Sequence, residues 1–410
     1  MNILQDLNTF VVDYLPFGST LWMVLMFVFV LSVLVYIHEL GHYLAARSVG
    51  VGVEQFSIGF GRKIKGWVDK RGTEWKICVI PLGGYVKMYG DESIDSIPAS
   101  RRDEAFLLKN VWARIWVVFA GPLANFLLAF VLLFGMMSYG EQRQGAKIGL
   151  VVEESAAEAA GILEGDRLIS MNDTVSPFWD DLIVEIHESN AKPMTVVVER
   201  EDVSGMLNEI TIVVQPRFKE RENKFGEKVT IPFFGIGPDM SDRILVEHEL
   251  REAVVLAAEK TYEYSTLILT GIKKMITGSV SAEKIGGPVL IAQMAGSAGE
   301  AGWYPLLFLM VIISVNLGVI NLFPIPMLDG GHLVFYLIEA IKGSPVNEKA
   351  QEISYRVGML MVASLMVFAI SNDGRRLYKG WTKDAEAEIA QQAAPKKEVI
   401  EQKISEKEDK

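Results

Sequence analysis

The sequence predicts a polytopic α-helical membrane protein of about four transmembrane helices. A β-rich loop lies beside the membrane, and a soluble α+β domain is inserted between the second and third spans. Three observations carry that expectation. The stretches Leu21–Ile37, Ile115–Tyr139, Ala301–Leu328 and Val357–Asn372 are apolar, uncharged and near the length a bilayer demands. Residues 53–92 alternate β-prone runs with glycine. Residues 141–240 alternate strand and helix patterns with charged residues between them.

The chain has 410 residues, enough for two domains, and half of them are hydrophobic. Its net charge of −11 speaks against nucleic acid as a partner. One cysteine, Cys78, excludes a disulfide framework within the chain and reads as a small buried apolar residue. The first apolar run is not a cleaved leader: no Lys or Arg precedes it, and His-Glu follows where small residues belong.

The elements follow in order. Residues 1–46 hold the first transmembrane segment. Residues 47–112 form the loop, where EQFSIGFGRK, EWKICVI and GYVKMYG read as short strands punctuated by Pro81, Gly83 and Gly84. Its β-structure is expected to be a hairpin packed at the membrane. Residues 113–140 form the second span. In 141–240, KIGLVVEE, MTVVVER and EITIVVQP read as strands and FWDDLIVEIHESN as a helix. Residues 241–300 link back to the bilayer through an amphipathic helix over 251–276, with Val254, Val255, Leu267, Ile268 and Ile272 set against Glu and Lys. The third span occupies 301–330, a loop 331–354 and the fourth span 355–372. Residues 373–410 are a charged tail, expected to be a solvated helix or disordered from Asp384 onward.

Basic residues set the orientation. The leader before Leu21 has none, whereas 47–114 carries Arg62, Lys63, Lys65, Lys70 and Arg71. The N-terminus is therefore expected outside and 47–114 in the cytoplasm, with 140–300 external and 329–356 cytoplasmic. Arg375, Arg376 and Lys379 oppose the external placement of the tail that four spans imply.

The chemistry begins where the first apolar run ends, in HELGH, residues 38–42. On a helix, His38 and His42 lie one turn apart on one face and can share a Zn²⁺, with Glu39 beside it as general base. Such side chains avoid a membrane span unless a function requires them. A catalytic zinc needs a third protein ligand and an open position. Asp329 in NLFPIPMLDGGH is the first choice, because Pro324 and Pro326 break the helix and Gly330 and Gly331 let the backbone turn. His332 is a rival ligand, and Asp329 could instead cap the broken helix. His187 and His248 read as surface histidines. Asn316 and Asn321 sit inside the third span, where buried amides must be paired. They serve either helix–helix hydrogen bonding or contact with substrate.

HELGH, FSIGFG at 56–61, GPLANF at 121–126, SAEKIGGPVLIAQMAG at 281–296 and NLFPIPMLDGG together resemble the site-2 protease family of intramembrane zinc metalloproteases. Within it they are closest to the bacterial regulator of sigma-E proteases. The resemblance runs to about residue 372. It implies Zn²⁺ held by His38, His42 and Asp329, Glu39 as catalytic base, and Asn316 and Asn321 as substrate-contacting residues. It also implies a membrane-associated hairpin, mapping to 66–90, that binds substrate as an added strand. AEAAGILEGDRLISMND, residues 157–173, resembles the core of bacterial PDZ domains, which capture extended peptides at a sheet edge. The segment 141–240 has room for one such domain, whereas the best-known relatives carry two. The implied function is regulated intramembrane proteolysis in the bacterial inner membrane. Its substrates would be single-span proteins such as an anti-sigma factor, or signal-peptide remnants. The rival readings are a catalytically inactive PDZ scaffold that binds exposed peptide ends, and a membrane-anchored peptidase for soluble peptides.

Overall fold

The computed structural model describes residues 3–91, 98–202, 204–223 and 227–393. Helices α1 (Ile3–Tyr14) and α2 (Gly18–Ser48) are followed by strands β1 (Val53–Val68) and β2 (Glu74–Met88), then α3 (Val111–Tyr139). Next come β3 (Glu141–Gln144), β4 (Ile148–Val151), α4 (Ala156–Ala159), β5 (Arg167–Met171), β6 (Thr174–Val175), α5 (Trp179–Glu188), β7 (Met194–Glu201) and β8 (Leu207–Val214). Strands β9 (Arg217–Glu222), β10 (Lys228–Phe233), β11 (Ile236–Pro238) and β12 (Arg243–Val246) lead to α6 (Leu250–Ile276), α7 (Pro288–Ala301), α8 (Trp303–Asn321), α9 (Asp329–Lys342) and α10 (Glu348–Ala393). Among the described residues, four helices are long and apolar enough to cross a membrane: Gly18–Ser48, Val111–Tyr139, Trp303–Asn321 and Glu348–Lys379. They match the four apolar runs of the sequence. Their outward residues are apolar, among them Val24 and Phe29 on α2 and Leu360 and Val367 on α10, as lipid contact demands.

The chain divides into two units. The first holds residues 1–125, 282–310 and 320–410. Here the leader forms α1, which the sequence reading left without structure; it packs on α2 and α7 through buried Leu4 and Val11. Helix α7 approaches α2 closely because Gly296 and Gly299 present no side chain to Met23, Met26 and Trp22. Trp22 Nε1 donates to Gly296 O at 3.1 Å.

Strands β1 and β2 pair antiparallel. Both are bent, so Phe56, Ser57 and Ile58 have partners on two sides: Val86, Tyr85 and Gly84 on one, Trp75, Lys76 and Ile77 on the other. The bends fall at glycines, with Gly59 and Gly61 at φ +86° and +85°, where a side chain would be strained. Segment 84–88 is thereby left along α2. Phe56 is fully buried and stacks on Trp75, with Tyr43 of α2 against both rings. In the turn between the strands, burial pushes the Asp69 carboxyl up, but bonds from Trp75 Nε1, the Thr73 and Arg71 amides and the Tyr43 hydroxyl hold it below its usual value. Cys78 is buried, as expected, 3.5 Å from Ser57 Oγ.

Asn372 and Asp373 lie in α10 within the last apolar helix, and both are buried. Asp373 accepts the Gly287, Val289 and Leu290 amides at 2.9, 2.9 and 3.3 Å, which are bare donors at the start of α7. Asn372 Nδ2 donates to Ala282 O and Ile285 O. This cap comes from more than eighty residues away. Asp373→Ala strands three amides and is expected to cost about 2–4 kcal/mol, while Asp373→Asn retains part of the cap. Unfolding midpoints of the detergent-solubilised variants check both.

The second unit holds residues 126–281 and 311–319. Its sheet has the order β6-β5-β7-β8, antiparallel throughout. Leu168, Met171, Val196 and Val198 face Leu182 and Ile186 of the amphipathic α5 in one core. The remaining strands pair as β4–β11, β9–β10 and β3–β12. Asp166 takes two bonds from Arg200, each 2.7 Å, which fasten the glycine-rich turn of residues 161–166 to β7. Asp242 takes two from Arg167. Burial raises the Asp242 carboxyl, yet Arg167 brings it below its usual value. His248 corrects an expectation. Its side chain is 11% exposed and sits between Glu141 and Glu252, at 3.5 and 3.4 Å, rather than on the surface. His187 is exposed.

Candidate metal centre and active site

Helix α2 ends with HELGH in its last turns. Leucine and valine, with phenylalanine and methionine, dominate the preceding turns, so the helix is carried in by its apolar surface rather than by capping. Both histidines are buried, and the rings meet edge to face. Their Nε2 atoms are 3.2 Å apart.

Asp329 comes to them across nearly 290 residues of chain. Helix α8 stops at Asn321, and the segment 322–328 turns back before α9 starts at Asp329. Three devices hold that turn. Met327 has φ +99°, a costly conformation for a side-chain-bearing residue and a mark of a constrained site. A Cβ on Gly330 would strike the backbone of Leu322 and Phe323, and one on Gly331 that of Ile325 and Pro326. Gly358 of α10 similarly makes room for the Pro326 carbonyl. Asp329 also occupies the first turn of α9, where the helix dipole favours a carboxylate.

The carboxylate closes a triangle. Asp329 Oδ2 is 3.2 Å from His38 Nε2, and Oδ1 is 3.5 Å from His42 Nε2. Donors 2.0–2.1 Å from a tetrahedral zinc stand about 3.3 Å from one another, so these separations are those of a ligand set. Oδ2 is buried with no hydrogen-bond partner among the described residues. Two imidazole nitrogens and a carboxylate oxygen, all within 4.8 Å of one another, are a donor set that suits a shared divalent cation. His38, His42 and Asp329 therefore fit zinc. His332 does not join them; its Nδ1 lies 3.1 Å from the Tyr355 hydroxyl of α10.

Glu39 lies one residue on from His38, half-buried. A Cβ on Gly84 would lie 3.0 Å from Glu39 Cγ. Segment 84–88 of β2 thus runs directly past Glu39. Asn316 and Asn321 are both half-buried on α8. Five residues apart, they leave the helix about 140° from each other. Asn321 is the last helical residue before the turn to Asp329, and Asn316 belongs to the second unit.

The sequence reading missed three contributors on α3. Val117 O accepts from His42 Nδ1 at 2.9 Å. The amide of fully buried Asn125 lies 3.0 Å from His38 Nδ1. Gly121 leaves the space that the His42 ring fills. The available signal was an asparagine in an otherwise uncharged span, the same signal that drew attention to Asn316 and Asn321.

Comparison with known proteins agrees with this centre. Residues 26–365 match the model of peptidase family M50. A protein of Rhizobium meliloti (strain 1021) named "Putative zinc metalloprotease" is 39% identical over 361 residues, covering 85% of this chain and 95% of that one. A protein so named in Rickettsia conorii is 38% identical over 357 residues, covering 86% and 98%. Another, from Campylobacter jejuni, is 34% identical over 352 residues, covering 85% and 92%. With a His-His-Asp centre at the end of an apolar helix and a glutamate beside it, the chain belongs to peptidase family M50, the site-2 proteases, and is a zinc metalloprotease.

Proposed function

We propose that this enzyme hydrolyses peptide bonds within or near the transmembrane segment of single-span membrane proteins, as in regulated intramembrane proteolysis. Anti-sigma factors and signal-peptide remnants are the substrate classes. One observation carries the reading: the metal centre is built from the end of a membrane-length helix and the turn after another, beside an open strand edge.

A substrate helix hides its peptide bonds in i→i−4 hydrogen bonds, so cleavage requires local unwinding. Segment 84–88 supplies backbone partners for the unwound stretch, which then lies next to Glu39. Asn316 and Asn321 are assigned to holding its backbone. Bound zinc supplies Lewis acidity, polarising a carbonyl and easing deprotonation of water. Glu39 takes the proton from the attacking water and returns it to the leaving amine. The β2 backbone beside Glu39 is assigned to keeping the carboxylate in place for both transfers. The sheet domain at 141–240 is assigned as a periplasmic PDZ domain that excludes substrates with bulky outer parts. The enzyme is placed in the bacterial inner membrane, with 47–114 and the metal centre toward the cytoplasm, on the strength of the basic residues there.

The test compares a single-span reporter in proteoliposomes with the soluble peptide of its juxtamembrane sequence. Cleavage of the reporter at a rate at least tenfold above the peptide is expected. Preference for the soluble peptide would sink the intramembrane reading, and cleavage of neither, with zinc bound, would favour the scaffold.

A further inference from the structure

Helix α3 carries no zinc ligand, yet it reaches both histidines. His42 Nδ1 donates to Val117 O at 2.9 Å, and the Asn125 amide stands 3.0 Å from His38 Nδ1. The two helices run in antiparallel step: Asn125 sits opposite His38 and Gly121 opposite His42, each pair four residues from the next. Both Nε2 atoms face Asp329. A histidine that ligates through Nε2 must keep its proton on Nδ1, and that proton needs an acceptor. His42 has one in the backbone carbonyl of Val117. For His38 the group in place is Asn125, fully buried in an apolar span. The amide atom placed 3.0 Å from Nδ1 is Nδ2, but the amide's oxygen and nitrogen are alike in shape and a half-turn exchanges them, so the hydrogen-bond network decides which one faces the ring.

We propose that Asn125 is a positioning residue of the metal centre: its Oδ1 accepts the Nδ1–H of His38 and thereby holds the tautomer that offers Nε2 to zinc. The proposal rests on the zinc assignment. It differs from a packing role because it depends on an acceptor at that position and not on side-chain volume.

The test measures Zn²⁺ affinity of the full-length protein in detergent by competition with a chromogenic chelator. The ligand-field spectrum of bound Co²⁺ is the second readout. Asn125→Leu is expected to weaken zinc binding about 10–100-fold and to shift the Co²⁺ spectrum. Asn125→Asp keeps an acceptor and is expected to bind within a few-fold of wild type. Where Asn125→Leu does not fold, judged by its unfolding midpoint, Asn125→Ala takes its place. His38→Ala gives the reference for a lost ligand. Wild-type affinity in Asn125→Leu, or an aspartate variant as weak as the leucine one, overturns the proposal. A wild-type protein that binds no more zinc than His38→Ala overturns the zinc assignment as well.

Discussion

Glu39→Gln is expected to abolish measurable hydrolysis while leaving zinc content unchanged. Glutamine keeps the shape of glutamate, so the strand beside it stays in place. What it loses is the capacity to take a proton. General-base catalysis contributes about 10²–10⁴-fold, and here the same carboxylate serves both proton transfers. A loss at or beyond the upper end of that range is therefore expected. The measurement is turnover of the single-span reporter in proteoliposomes, with zinc quantified in the same preparations. Equal turnover by the variant would remove Glu39 from the mechanism. Lost zinc would show that the substitution had disturbed the centre instead.

The second large effect lies away from the metal. Arg114 at the start of α3 is 7% exposed and donates to Glu339 of α9, with its guanidinium over the Tyr336 ring at 4.8 Å. Its Nε also donates to Lys109 O at 3.2 Å. This pair fastens to α3 the helix that begins with Asp329. Arg114→Met leaves the Glu339 carboxylate, 17% exposed, without its partner, at a cost of about 3 kcal/mol, the low end for a buried pair. Replacing both, Arg114→Met with Glu339→Leu, is expected to recover most of that, because apolar side chains of similar volume need no desolvation. Zinc affinity should fall in the single variant and return in the double, since α9 positions the third ligand. Denaturant unfolding in detergent and chelator competition on wild type, Arg114→Met, Glu339→Leu and the double variant decide it. Independent, additive effects would mean that the two residues do not act as a pair.

These results bear on how much of the molecule can be read in one dimension. The spans were legible because lipid imposes a single long-range rule, an uninterrupted apolar stretch, and four such stretches became the four long helices. HELGH was legible because an i, i+4 pair needs only a helix to bring its side chains together. The paired prolines and glycines after Asn321 announced a turn at Asp329, although they could not say that it would fold back onto His38 and His42. The leader gave no comparable signal: α1 exists through packing on α2 and α7, and its own periodicity is short.

By itself, then, the sequence determined the span count, the i, i+4 pair of histidines with Glu39 between them, and the break that carries Asp329, since each depends on one continuous stretch of chain. Only the tertiary structure decided that Asp329 rather than His332 completes the triangle. It also decided that Asn125 and Val117 back the histidines, that β2 runs past Glu39, and that Asp373 caps α7. Each of those joins residues at least 45 positions apart. No local spacing encodes them, because their geometry exists only once apolar faces and close glycine contacts have fixed which helices touch.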